Sequence, residues 1–261
     1  MRAGRRRTRL VTSLAAVLAA GALASCANTV GGSGSAPTLD LGTRLQHAMD
    51  AVSSAHVELQ AQLAGVVVAA SGDQKLAQGK TTAFVLTEHI AGAGTIGIDT
   101  IKVIDVDGAL YAQLPVDLNP TDKPWVHIKP DTTDPTLAPL AQALQQVQES
   151  ASLQQYALLA RAASDLRDVG PSDANGIAAE LYSFSVLVSR LPAAVPGAAT
   201  LRAAGVQSLP VQLWVDDQGR VRRLSESVSF AGQQMTTRVD LSQFDAPVTI
   251  SAPPADQVAT R

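Results

Sequence analysis

Between His56 and Leu63 the chain alternates without a break: Val57, Leu59, Ala61 and Leu63 are apolar, and His56, Glu58, Gln60 and Gln62 are polar. A period of two puts each set on its own side, so the segment predicts a β-strand with one buried face. The residues before it repeat differently. Leu41, Leu45, Ala48, Met49 and Val52 recur at helical spacing, with Arg44, Gln46 and Asp50 elsewhere, which predicts an amphipathic helix over 41–55. Further strand-like runs occupy 81–89, 96–107, 109–114 and 124–129. Asp107-Gly108 between two of them is a hairpin signal, because glycine accepts the positive φ that such turns need.

After Pro130 the period lengthens. Leu137, Leu140, Ala141, Leu144 and Val147, then Tyr156, Leu159, Ala163 and Leu166, predict one or two helices within 135–165. Asp134 is the expected N-cap, with Pro135 at the first helical position. Pro171 to Gly176 reads as a turn. A strand follows over 177–189, with Tyr182, Phe184, Val186 and Val188 on one face, and then a loop with a short helix over 191–205. A second hairpin is expected from 209–215, the turn Asp216-Asp217-Gln218-Gly219 and 220–230, and closing strands from 235–244 and 247–251. Helix, strands, helices, strands is an α+β order, with an antiparallel sheet covered by helices on one face.

The first nine residues hold Arg2, Arg5, Arg6, Arg7 and Arg9, and the next fifteen, to Ala24, carry no charge. This reads as a signal peptide over 1–25, shorter and richer in alanine than the about 20 apolar residues of a spanning helix. Leu23-Ala24-Ser25-Cys26 matches the bacterial lipobox, and the match implies diacylglyceryl transfer to Cys26 and cleavage before it. The alternative is an ordinary secretory signal with Cys26 a bystander. Cys26 is the single cysteine, so no internal disulfide is possible and the core alone must hold the fold. Residues 26–40 are dense in Gly, Ser and small polar residues and read as a flexible tether. The expected place is the extracytoplasmic side of the cell membrane, with one domain over 41–252 and a tail over 253–261. Without the signal arginines the chain carries a net charge of about −8, which gives no electrostatic reason to bind nucleic acid.

Several ordered features together resemble one family. They are Ser53-Ser54-Ala55-His56-Val57, Asp107-Gly108-Ala109-Leu110-Tyr111, and Trp125-Val126. Leu209-Pro210-Val211-Gln212-Leu213-Trp214-Val215 with its Asp-Gln-Gly turn follows, and the run Leu241 to Ile250 completes the set. Over about 41–252 the body resembles the mycobacterial LppX/LprAFG lipoproteins. The resemblance implies a strongly curved antiparallel sheet, a half-barrel, with helices on the concave face enclosing an apolar cavity. It implies a carrier of acylated lipids or lipoglycans within the envelope, with an envelope transporter as a further partner, and no cofactor. The chain departs from the pattern near 142–168 and at Phe244, where a tryptophan is expected.

Aromatics make up 3 % of the chain while small aliphatics dominate, so sheet and helix layers of small side chains can leave a dry gap. From strand and helix phase, Leu59, Val103, Leu144, Tyr182, Phe184 and Leu213 are the expected cavity-lining residues. Tight packing of the same alanines is the blander outcome. The other class of reading is a structural lipoprotein that binds an envelope protein, with an exposed apolar patch in place of a cavity.

Other chemistry has weak markers. Gly92 to Gly97 spells GxGxxG but leads into strand-like residues rather than a helix, so it lacks the helix N-terminus that a pyrophosphate needs. His47, His56, His89 and His127 lie in separate elements without zinc spacing. No GxSxG occurs, and the sequence reads as non-enzymatic. Replacing Cys26 with alanine is expected to move the protein from the membrane to the soluble fraction on cell fractionation; retention in the membrane would contradict the anchor.

Overall fold

The computed structural model describes residues 36–63, 65–92, 100–114, 119, 121–129, 131–132, 138, 141, 152–191, 198–230 and 233–260. It opens with helix α1 (Ala36–Asp50), followed by β1 (Ser54–Leu63), β2 (Val66–Ala77), β3 (Lys80–Gly92), β4 (Ile101–Val106), β5 (Ala109–Gln113) and β6 (Trp125–Ile128). Helix α2 (Gln154–Arg161) leads into β7 (Ala163–Ala174) and β8 (Ile177–Leu187), and the short helix α3 (Ala198–Ala203) into β9 (Ser208–Val215). Strands β10 (Val221–Phe230), β11 (Gln233–Ser242) and β12 (Val258–Thr260) complete the chain.

The strands form one open sheet in the order β12-β6-β5-β4-β3-β2-β1-β11-β10-β9-β8-β7. Neighbouring strands are antiparallel, except that β12 runs parallel to β6. An open sheet much beyond about ten twisted strands must curl, and this one does. Gly72 marks a place where curvature excludes a side chain, because a methyl there would collide with the Val85 carbonyl oxygen on β3. Two-residue turns at Gln78-Gly79, Asp107-Gly108 and Asn175-Gly176 have both residues at positive φ, the twist that tight hairpins prefer.

Helices α1 and α2 pack on one face of this sheet. Leu41, Leu45 and Met49 of α1 join Tyr156, Ala157 and Ala160 of α2 and the inward residues of β8 to β11 in the largest apolar cluster. Leu45 and Met49 are fully buried, and each contributes about 1.5–3 kcal/mol of burial. The helices approach closely at Gly42, where an added methyl would lie 3.1 Å from the Ala157 carbonyl. A second cluster on β3 to β6 gathers Phe84, Ile101, Val103, Ala112, Val126 and Ile128 with Ala141. On the opposite face of those strands, Val248, Ile250 and Val258 cover Ala83, Ile104 and Trp125.

The structure corrects several expectations. The first helix begins at Ala36, inside the stretch read as tether, and stops at Asp50. Strand β2 occupies residues that gave no alternating signal, because Ser71-Gly72-Asp73 mimics a turn. The segment from Ala163 is a strand rather than the end of a helix. It is an edge strand with register shifts after Ser164 and Asp168, and Asp165 stands at positive φ, so its apolar residues follow no clean period of two. Residues 247–251 do not join the sheet, whereas the tail supplies β12. Leu137, Leu140, Leu144, Val147 and the Asp134 cap lie outside the described residues. Gly72→Ala is expected to cost about 1–3 kcal/mol in urea unfolding, the usual range for overpacking; an unchanged midpoint would contradict the close approach of β2 and β3.

Candidate functional site

Directly paired residues of antiparallel strands share a face, so the registers define rows running across the sheet. One row on the helix-bearing face is Tyr182, Leu213, Leu224, Val239, Leu59, Ala70, Glu88 and Ile101, spanning eight strands from β8 to β4. The next is Phe184, Val211, Glu226, Thr237, Ala61, Val68 and Ile90. On the other side of the first row lie Leu241, Val57, Gly72, Leu86, Val103, Ala112 and Val126. A fourth row holds Ala55, Gln74, Phe84, Asp105, Leu110 and Ile128.

Burial along these rows is uneven. The β8–β11 ends belong to the cluster under α1 and α2, and the β4–β6 ends belong to the second cluster. Between them Val57, Leu59, Ala70, Gly72 and Leu86 are only half-buried. In this strip across β1 to β3, Val57 and Leu59 pack against the first cluster and Leu86 against the second, so the floor between the two clusters is Ala70 and Gly72 on β2. On β2 the half-buried positions of this face are Ala70 and Gly72, a two-residue step of about 7 Å, because Val68 and Gln74 at either end are buried.

The strip is apolar but not uniformly so. Glu88 is 7 % exposed and its Oε1 has no hydrogen-bond partner. Burial pushes its carboxyl up to about 7. Gln74, 2 % exposed, accepts from Thr81 Oγ1 at 3.1 Å but leaves its own Nε2 unpartnered. Under the helices, burial pushes Glu226 up to about 8, and the paired Thr237 has an unpartnered Oγ1. Tyr156 of α2 is raised above the ordinary phenol range by burial first and then by the Glu226 charge. Burial raises Asp105 as well. Strand phase alone could have placed Glu88 and Asp105 inward, but a charged residue on an inner face contradicts the apolar pattern that defined that face.

Five of the six expected lining residues fall on this one face. Tyr182, Leu213 and Leu59 share a row, and Phe184 and Val103 stand in the rows on either side of it. Leu213 is 0 % exposed and Tyr182, Phe184 and Val103 are buried, so these four pack in the clusters. Leu59 is half-buried and borders the strip. Leu144 and Cys26 lie outside the described residues. A separate cleft of about 430 Å³ lies between α1 and the β9–β10 turn, lined by Thr43, Arg44, His47 and residues 216–219. Asp216 in its wall is already committed, accepting from Arg220 Nε at 3.0 Å and Arg222 Nε at 2.8 Å. Both guanidiniums also lie over the Phe244 ring, 4.9 and 4.6 Å from its centroid, so the departure from tryptophan keeps an aromatic platform there.

The opposite face carries an arrangement that motif reading missed. Ser71 Oγ lies 3.2 Å from His56 Nε2, and His56 Nδ1 lies 2.7 Å from Asp73 Oδ1. The order is that of a nucleophile, a base and an orienting acid. Strand β2 is paired on both sides here, so its N–H groups are spent in the ladder and none is free to hold an oxyanion. The set fits cross-strand pairing between β1 and β2 instead. Among the described residues no group of His, Cys, Asp and Glu could hold a metal, and no helix is long and apolar enough to cross a membrane.

The curved open sheet with helices packed on part of one face is similar in fold to two solved lipoprotein structures of the LppX/LprAFG family. LprF from Mycobacterium bovis is similar in structure with a TM-score of 0.55 and 18 % identity, over 85 % of this chain and 99 % of that one. Lipoprotein LppX from Mycobacterium tuberculosis has a TM-score of 0.50 and 13 % identity, over 82 % of this chain and 98 % of that one. No family model and no curated protein sequence matches the chain. The likeness is therefore one of fold.

Glu226 makes a pH test of this face. Its folded carboxyl titrates near 8 against an ordinary value of 4.5, so the folded state holds the extra proton between those values and stability falls as pH rises through them. Glu226→Gln is expected to remove a loss of about 1.4 kcal/mol per pH unit between pH 5 and 8 in urea unfolding. A wild-type slope that survives the substitution would contradict the burial of this carboxyl.

Proposed function

We propose that the protein is a membrane-tethered carrier that takes up an acylated lipid or lipoglycan along the half-buried strip and passes it on within the cell envelope. One observation carries this reading. Val57, Leu59, Ala70, Gly72 and Leu86 form a half-buried apolar patch across three strands, between two packed clusters. Apolar surface left half-covered inside a curved sheet is a standing free-energy source, since each methylene withdrawn from water contributes about 0.8 kcal/mol. An acyl chain matches it in chemistry, and its slender profile suits a floor built from alanine and glycine.

The rest of the reading follows the sequence. The basic, uncharged and small-residue stretches before Cys26 fit export and lipidation, and the tether would let the body stand off the membrane on its extracytoplasmic side. The fold shared with LprF and LppX supports an envelope lipoprotein. Binding is favoured over catalysis because the strip brings together no nucleophile and base.

Native mass spectrometry of the protein purified from its own host is expected to show a bound species that organic solvent extracts as an acylated lipid. Ala70→Phe, which fills the strip without adding charge, is expected to remove most of that species while circular dichroism stays unchanged. Full occupancy in the folded variant would refute the strip as the binding site.

A further inference from the structure

Every carboxyl, amine or guanidine side chain in the four rows of the helix-bearing face is a carboxyl. Glu88, Asp105 and Glu226 point into it, whereas none of the residues in these rows is a lysine or arginine. Lys75 pairs with Ala83, Lys102 with Gln113, and Arg223 and Arg238 both bind Asp240 on the opposite face, while Arg222 sits at the β10 bulge outside the rows. The sequence carries no lysine or arginine in 81–101 or in 130–160 either. Arg44 at the edge of α1 donates to the Tyr182 hydroxyl at 3.4 Å, and Arg220 and Arg222 are held by Asp216.

Glu88 is the acid placed to meet a ligand. It stands in the strip's own row, between Ala70 and Ile101, and follows Leu86 along β3 on the same face. Ala70 beside it is half-buried and short, whereas Glu88 itself is 7 % exposed. Its Oε1 is buried without a donor. A buried carboxylate needs a cation or several donors, and an unpaired one is costly. A hydroxyl offers one donor and no charge, whereas a primary ammonium offers three donors and the charge that this face lacks.

We propose that the strip selects lipids whose polar head carries a primary ammonium, with Glu88 as the group that binds it, and discriminates against lipids with an anionic head. This rests on the carrier reading and names its ligand class. The ammonium would be drawn down beside Ala70 while the acyl chain runs along Gly72 and Leu86. An anionic head in the same place would meet the Glu88 carboxyl and no counter-charge, which is a repulsive element built into the strip.

The test uses three lipids with the same two oleoyl chains on glycerol, ending in a primary ammonium, a hydroxyl or a phosphate. Binding to the full chain at pH 7.5 is followed by displacement of a fluorescent fatty-acyl probe. The ammonium lipid is expected to bind about tenfold or more tighter than the hydroxyl lipid, the range of a charged hydrogen bond, with the phosphate lipid weakest. Glu88→Gln, which keeps shape and removes charge, is expected to erase the ammonium preference while leaving the hydroxyl lipid's affinity as it was. Equal binding of ammonium and hydroxyl lipids, or a preference that survives Glu88→Gln, overturns the proposal and leaves the carrier reading standing. Binding of none of the three overturns both.

Discussion

The structure depends on an unequal partnership between two short helices and a much wider sheet. Helix α1 has fifteen residues and α2 has eight, and their cluster takes in the inward residues of β8 to β11 together with Ala55 of β1 and Leu76 of β2. Leu45 and Met49 are driven fully inside on one side, and the Phe84–Ile128 cluster closes on the other. The half-buried strip lies between them, beside a smaller cluster of Ala61, Val68 and Ile90 on the same face.

Curvature and composition support each other in that strip. Gly72 has no room for a side chain against β3, and Ala61 and Ala70 keep the floor low beside it. Larger residues at these positions would join the two clusters into one core of ordinary density. The polar groups on the same face work against stability: Glu88, Gln74 and Thr237 each bury an atom without a partner, and Glu226 sits under Tyr156 at a raised pKa. A face selected for stability alone would hold leucine or valine at such positions. Their presence is economical to explain as a binding property, the same logic by which strained or unsatisfied groups gather at functional sites.

Much of this was legible in the sequence. The alternation over 56–63 located β1 and its inward face, and the Asp107-Gly108 and Asp216–Gly219 signals located two turns. Phase then put Leu59, Tyr182, Phe184, Leu213 and Val103 on one face, because strand parity survives any sheet order. What escaped had physical reasons. Strand β2 carries a glycine where the sheet bends, so its central residues imitate a turn, and β7 is an edge strand broken by bulges. The parallel pairing of β12 with β6 joins segments more than a hundred residues apart, which no local pattern encodes. Burial separated the candidates further: Leu213 fills the core and Leu59 borders the strip, a difference set by where the helices end rather than by either residue.

The central claim is that the gap between the two clusters receives hydrocarbon. Photo-crosslinking with a lipid that carries a diazirine midway along its acyl chain tests it most directly, with the adducts located by peptide mass spectrometry. The account predicts adducts on Val57, Leu59, Ala70 and Leu86. Adducts confined to the opposite face, at Gln60, Ser71 or Thr87, would contradict it.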